Sequence, residues 1–210
     1  MKNIKNFWDN CHTNGKTDSL SSFFENGIYY TTYERTVDYL QIMPFISKGK
    51  KILEVGVGEG YVTKGLHDAG LLVYGLDISD VALEKVKTIC VTTYTLDTLA
   101  ELPTDFFDIV ICNHVIQHIR TSLLENELTH IVASLKKDGV FALQFVSNNY
   151  YEDTGIDSED IFNIISGTCC RSPKFLENML CGMGARCELV YSDTVCSGDV
   201  HGSHVFHIRK

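Results

Sequence analysis

The 210-residue sequence has no stretch approaching the roughly 18 uninterrupted apolar residues of a membrane span, and its opening Met1-Lys2-Asn3-Ile4-Lys5-Asn6 has no apolar signal core. A cytoplasmic protein without a membrane partner is the expectation. It also lacks any C-x-x-C pair, although it has eight cysteines, at 11, 90, 112, 169, 170, 181, 187 and 196. Several of them, Cys90 and Cys112 included, stand inside apolar runs. Buried reduced thiols therefore account for them better than zinc ligation or disulfides. Positive charge is in deficit, with 18 Lys and Arg against 27 Asp and Glu and a formal net charge of −9. Nucleic-acid recognition needs a basic footprint, so a small-molecule partner is expected and a nucleic acid is not. There is no internal repeat and no second-domain boundary. With 44% hydrophobic and 21% charged residues, the chain suits one globular domain over 1–210, with 1–48 as an N-terminal helical cap or lid and 49–210 as the core. Nothing in it indicates an oligomeric state.

What is present centres on Lys51-Ile52-Leu53-Glu54-Val55-Gly56-Val57-Gly58-Glu59-Gly60. A short apolar run ends in an acid and is followed by three glycines at alternate positions, which reads as a buried parallel strand breaking into a turn that opens a helix. Such glycines supply positive φ and let a ligand approach bare backbone, while the helix start offers free N–H groups. The dinucleotide fingerprint G-x-G-x-x-G has a different phase. Here the run is Glu54-x-Gly56-x-Gly58-x-Gly60 followed by Tyr61.

This E-x-G-x-G-x-G run resembles the first motif of the class I S-adenosylmethionine-dependent methyltransferases. The resemblance implies S-adenosyl-L-methionine as cofactor and S-adenosyl-L-homocysteine as product. Glu54 would orient the loop and the methionine end, with Gly56, Gly58 and Gly60 beneath it. It also implies a Rossmann-like α/β fold: a seven-stranded, mostly parallel sheet in order 3-2-1-4-5-7-6, strand 7 antiparallel, with helices on both faces.

Further along, Val62, Leu66 and Ala69 mark a helix face closed by Gly70, and Leu71-Leu72-Val73-Tyr74-Gly75-Leu76 is a second strand reaching Asp77. An acid there, about 20 residues after the turn, suits a ribose hydroxyl pair. Asp77 is the expected ribose ligand, with Ile78 beside the adenine. Ser79 should cap a helix through Val81, Ala82 and Val86, and a third strand is expected over 89–95. By the same resemblance Asp97 accepts from the adenine amino group and the Thr98 N–H meets a ring nitrogen.

The stretch Phe106-Phe107-Asp108-Ile109-Val110-Ile111-Cys112-Asn113-His114-Val115-Ile116-Gln117-His118 is a buried strand stopping at polar residues, where open α/β sheets bind ligands. It resembles the F-D-x-V strand and V-x-x-H segment of small-molecule members of the class. Asn113 falls among the expected cofactor contacts. His114 and His118 are the candidate bases for removing a proton from an oxygen or nitrogen acceptor, packing or a backbone hydrogen bond being the alternative role for His118. Upstream, Tyr33, Val37 and Leu40 mark a helix ended by Pro44, and Tyr29 and Tyr33 are candidate lid or substrate residues.

Leu124, Leu128, Ile131 and Leu135 give another helix, closed by Lys136-Lys137-Asp138-Gly139 before a strand over 140–146. Glu152, Asp153, Asp157, Glu159 and Asp160 lie in a loop-like stretch that forms either an acceptor-site wall or a solvated surface. Ser172-Pro173 starts a helix, and strands over 186–191 and 203–208 are expected as an antiparallel hairpin at the sheet edge. No metal is expected: Cys196, His201, His204 and His207 read as surface and edge residues, since His204 and His207 point to opposite faces of a strand. The functional expectation is methyl transfer to an oxygen or nitrogen of a small molecule. The competing readings are a methyltransferase-like binding or regulatory protein without catalysis and, opposed by the absence of a Tyr-x-x-x-Lys pair, an NAD-dependent oxidoreductase.

Overall fold

The apolar run at residue 51 forms β1 (Lys51–Val55), with Ile52 and Leu53 fully buried, in a computed structural model that describes residues 2–14, 32–148, 171–193 and 201–210. The strands run in the order β3 (Thr92–Tyr94), β2 (Leu72–Leu76), β1, β4 (Phe107–Cys112), β5 (Leu135–Asn148), β7 (His201–Arg209), β6 (Arg186–Asp193), as expected. β1–β2, β2–β3 and β4–β5 pair in parallel, and β7 is antiparallel to β5 and β6. The chain divides into two compact units, Met1–Leu102 and Pro103–Lys210. Among the described residues no helix is long and apolar enough to cross a membrane.

In Met1–Leu102, α1 (Lys2–Thr13) and α2 (Tyr33–Tyr39) precede β1, and the glycine turn leads into α3 (Tyr61–Asp68). β2 (Leu72–Leu76) sets Val73 against Ile52 and Leu76 against Val55. α4 (Asp80–Val86) starts where Ser79 accepts a hydrogen bond from the Ala82 N–H at 3.2 Å, and its Ala82, Leu83 and Val86 are buried. β3 is only Thr92–Tyr94. It is shorter than expected because the N–H groups of Ile89 and Cys90 both donate to the Val86 carbonyl and close α4 instead of joining a ladder. α2 packs on α3 through Gly65: a Cβ there would stand 2.2 Å from the Tyr33 Cβ. Only a residue without a side chain permits that approach.

In Pro103–Lys210, β4 (Phe107–Cys112) leads to α5 (Thr121–Ser134), which buries Leu124, Leu128 and Ile131. β5 (Leu135–Asn148) begins directly at Leu135, whose backbone is already extended. The expected turn at 136–139 survives as a break in register: Phe107 faces Leu135, whereas Ile109 faces Val140. α6 (Pro173–Gly182) has the expected cap, with Ser172 Oγ accepting from the Phe175 N–H at 3.1 Å. β6 (Arg186–Asp193) and β7 (His201–Arg209) form the expected hairpin. However, β7 lies between two strands, so His204 and His207 are buried and do not lie at the surface. His204 stacks on Phe145 and sits between Ser147 Oγ (2.6 Å from Nε2) and Ser192 Oγ (3.0 Å from Nδ1). Of the described cysteines, all free, Cys11 and Cys112 are buried, Cys90 and Cys187 half-buried, and Cys181 is exposed, contrary to expectation.

Candidate active-site residues

Within Met1–Leu102 the turn after β1 is held by its glycines. Gly56, Gly58 and Gly60 have φ of 81°, 50° and 80°, the left-handed region. A Cβ at Gly60 would meet Val86 at 2.7 Å, whereas at Gly58 the nearest atom is the His12 ring at 3.8 Å. Gly60 is thus a packing glycine. At Gly58 a Cβ would only touch the His12 ring, so its need for glycine comes from the left-handed φ, which bares the backbone as a ligand's close approach requires.

Two buried carboxylates border this turn. Glu54, at 5% exposure, accepts from Thr63 Oγ1 at 2.7 Å, and burial pushes its carboxyl up to about 8, the Thr63 hydroxyl opposing and Asp77 adding to the rise. Asp77 ends β2 and accepts from the Ser79 N–H at 2.9 Å through Oδ1 and from the Gly58 N–H at 3.1 Å through Oδ2. Burial raises its pKa, while the backbone donors Ser79, Gly58 and Ile78 and the nearby His12 oppose the rise. Each oxygen retains acceptor capacity for hydroxyls. Two desolvated acids beside bare backbone suit a ligand that carries positive charge and vicinal hydroxyls, and S-adenosylmethionine has both.

Ile78 is half-buried beside Asp77, and Asp97 is exposed at the start of a 3-10 turn (Leu96–Glu101). Thr98 closes that turn: its Oγ1 accepts from the Thr95 N–H at 2.9 Å, and its own N–H donates to the Thr95 carbonyl at 3.1 Å. Tyr33 lies against Gly65 as described, and Tyr29 is outside the described residues, as are Glu152, Asp153, Asp157, Glu159, Asp160 and Cys196.

Within the expected N-terminal helical segment, sequence reasoning missed the polar contacts of α1. Asp9 Oδ1 accepts from Ser79 Oγ at 2.6 Å and from the Val81 N–H at 3.4 Å, at the start of α4. Lys5 Nζ joins Asp9 (2.8 Å) to Asp80 (2.7 Å). His12, buried, places Nδ1 2.7 Å from Glu59 Oε1, and Lys85 Nζ donates to Glu59 Oε2 (2.6 Å) and to the His12 carbonyl (2.9 Å). Burial alone would raise the Asp9 carboxyl, but the Lys5, Ser79 and Val81 donors together hold it below the ordinary range. The signal was available: Lys5, Asp9 and His12 stand at i, i+4 and i+7, one face of a helix.

Within Pro103–Lys210 the chain leaves β4 through half-buried Asn113 and His114. His114 has φ 58°, uncommon for a residue with a side chain. Its N–H donates to Gln144 Oε1 at 2.8 Å, and its Nδ1 lies 3.4 Å from Gln117 Nε2. The protein packed round the imidazole lowers its pKa to about 4, with His118 adding to the effect. At neutral pH the ring is uncharged. His118 closes a 3-10 turn (Ile116–His118), so the two histidines are not on one α-helical face. Arg171, 4% exposed and missed from sequence, anchors this loop by donating to the Ile116 carbonyl (2.7 Å), the Ile119 carbonyl and Thr121 Oγ1 (3.2 Å).

A family model described as a methyltransferase domain matches residues 29–187. A ubiquinone biosynthesis O-methyltransferase of Haemophilus ducreyi is 29% identical over 111 residues, covering 47% of this chain and 46% of that protein. One from Coxiella burnetii is 25% identical over 127 residues, covering 56% and 53%. The chain spans about half the length of these curated relatives. Among solved structures, a Haemonchus contortus phosphoethanolamine N-methyltransferase 2 in complex with S-adenosyl-L-methionine has a TM-score of 0.71 at 20% identity, over 99% of this chain and 60% of that one. The magnesium protoporphyrin IX methyltransferase of Synechocystis PCC 6803 has a TM-score of 0.61 at 17% identity, over 99% and 97%. Both establish likeness of fold.

Proposed function

Because the chain belongs to the methyltransferase domain family over residues 29–187, we propose that it binds S-adenosyl-L-methionine and transfers its methyl group to an oxygen or nitrogen of a small-molecule acceptor. The observation that carries this reading is the pair Gly58–Asp77: bare backbone at φ 50° donating to a buried carboxylate at the end of the neighbouring strand. When bound, the cofactor supplies an electrophilic methyl on a sulfonium with a neutral leaving group. The chain's own residues bind and align. Asp77 accepts from the ribose hydroxyls, Ile78 flanks the adenine, and Asp97 addresses its edge, while Thr98, whose N–H is taken by the Thr95 carbonyl, shapes the turn that carries Asp97. Glu54 sets the turn for the methionine end, with Asn113 a further contact. A ligand cation also favours ionisation of Glu54, which burial otherwise keeps protonated at neutral pH.

His114 is the proposed base. Its imidazole is uncharged at neutral pH and so carries a lone pair able to take a proton. The curated relatives are named O-methyltransferases, which favours a hydroxyl acceptor. The net charge of −9 supports a small acceptor over a nucleic acid. Calorimetric titration with S-adenosylmethionine, S-adenosylhomocysteine and NAD tests the assignment. Saturable binding of the first two and none of NAD is expected; binding of NAD alone, or of none of the three, overturns it.

A further inference from the structure

β4 and β5 stay paired as far as Cys112 opposite Leu143, after which β4 ends. Two residues on, the N–H of His114 has left the ladder, and a backbone donor in so crowded a place needs an acceptor. Gln144, the residue after Leu143, supplies one. Its side chain is fully buried, its Oε1 accepts from the His114 N–H at 2.8 Å, and its Nε2 donates to Ser203 Oγ at 3.0 Å. Ser203 lies on β7, where it pairs with Val146, while Gln144 itself pairs with Val205. The His114 donor requires the amide oxygen on its side, and Ser203 then takes the amide nitrogen, so the carboxamide has one orientation.

A buried glutamine in mid-sheet is often no more than a satisfied polar group. Here its partner is the backbone of a residue with a side chain at φ 58°, just past the carboxyl end of a strand. Conformations of that kind persist only where the surroundings over-determine them. We propose that Gln144 is a positioning residue: it replaces the missing ladder partner of β4, fixes the left-handed turn at His114 and, braced by Ser203, sets the direction in which the imidazole is presented. The backbone from which the ring projects is thus fixed by β5 and β7, while Gln117 of its own loop meets the ring at Nδ1. That this presentation serves proton removal rests on the function proposed above; the hydrogen-bonded arrangement does not.

The test is a pH titration of isotopically labelled histidine by NMR, with the His114 signal assigned by its loss in His114→Ala. In the wild type the ring should remain neutral well below the ordinary histidine range. Gln144→Met, which keeps length and removes both polar groups, should move the His114 resonance and raise its midpoint by about one pH unit or more as the loop opens to water. Ser203→Ala should act in the same direction and less. A His114 resonance and midpoint unchanged in folded Gln144→Met overturns the proposal; if that variant does not fold, Ser203→Ala identical to wild type does so. S-adenosylhomocysteine affinity is measured on the same samples. Failure of the wild type to bind it defeats the methyltransferase reading, whereas the role of Gln144 is still decided by the titration.

Discussion

The polar groups that border the glycine turn in Met1–Leu102 and those that border the end of β4 in Pro103–Lys210 differ in how much charge satisfies them. Around the turn, beside Glu54 on the Thr63 hydroxyl and Asp77 on backbone N–H groups, stand ion pairs: Lys5 with Asp9 and Asp80, and Lys85 with Glu59, drawn together from α1, α4 and the turn. At the end of β4, apart from the Arg171 guanidinium on the loop carbonyls, the groups are neutral, with Gln144 on the His114 N–H, Ser203 on Gln144, and His204 between two serines. Partly exposed ion pairs are individually weak and screened by salt, so they allow an element such as α1 to detach at modest cost. Buried neutral networks lose much when any member is removed and admit one arrangement. The contrast matches the division of labour proposed for them: a region that must admit and release a ligand as large as a nucleoside, and one that must hold a single imidazole still. Even the buried titratable groups conform, since burial moves Glu54 up to about 8 and His114 down to about 4, leaving both uncharged at neutral pH.

The sharpest test of the first region is Asp77→Ala, which should weaken S-adenosylhomocysteine binding by roughly 1.5–3 kcal/mol, the scale of losing charge-assisted hydrogen bonds. Calorimetry on a variant with wild-type circular dichroism measures it, and undiminished affinity would remove Asp77 from the site.

The pH dependence of stability sets the two regions against each other, because their buried groups act with opposite sign. Between the ordinary carboxyl value of 4.5 and about 8 the folded chain retains a Glu54 proton that the unfolded chain has released, so stability falls as pH rises. Between 6.5 and about 4 the unfolded chain takes up a proton that folded His114 refuses, so stability falls as pH drops. Each contributes up to about 1.4 kcal/mol per pH unit inside its window. The two slopes offset where the windows overlap, so thermal melts across pH should show Glu54→Gln flattening the decline above 6.5 and steepening the loss below it; an unaltered profile would mean that Glu54 is ionised in the folded chain.

The smallest effect is expected at α1. Asp9→Ala should speed S-adenosylhomocysteine release in stopped-flow experiments by several-fold, about 1 kcal/mol, and less at high salt. An equal loss at all ionic strengths would contradict the electrostatic account of that helix.

Much of this arrangement is legible in the residues. The β1–turn–α3 unit, Asp77 at the end of β2, and the Ser79 and Ser172 caps all follow from local rules of glycine, carboxylate and hydroxyl placement, because the partners lie within a few residues or on the adjacent strand. Three things were not. α1 carries an ordinary apolar stripe, Ile4, Phe7, Trp8 and Cys11, but its polar contacts, Asp9 to Ser79 and Lys5 to Asp80, reach partners about 70 positions away. His204 and His207 read as surface residues because polarity suggests exposure, whereas the position of β7 between β5 and β6 encloses them. Gln144 stands inside an apolar run, and its role depends on a donor 30 positions away at the point where a neighbouring strand ends.

The left-handed turn at His114 has a consequence for how this position tolerates change. Backbone handedness ranks the twenty residues differently from side-chain chemistry: glycine and asparagine enter this region readily, and β-branched residues scarcely at all. In a saturation library selected only for folded protein, position 114 would retain glycine and asparagine and discard valine and isoleucine. On the role proposed for His114, a second selection for turnover would favour histidine. Two independent filters then converge on one residue there, so a descendant that lost the imidazole by drift would still carry its imprint in the residues left behind.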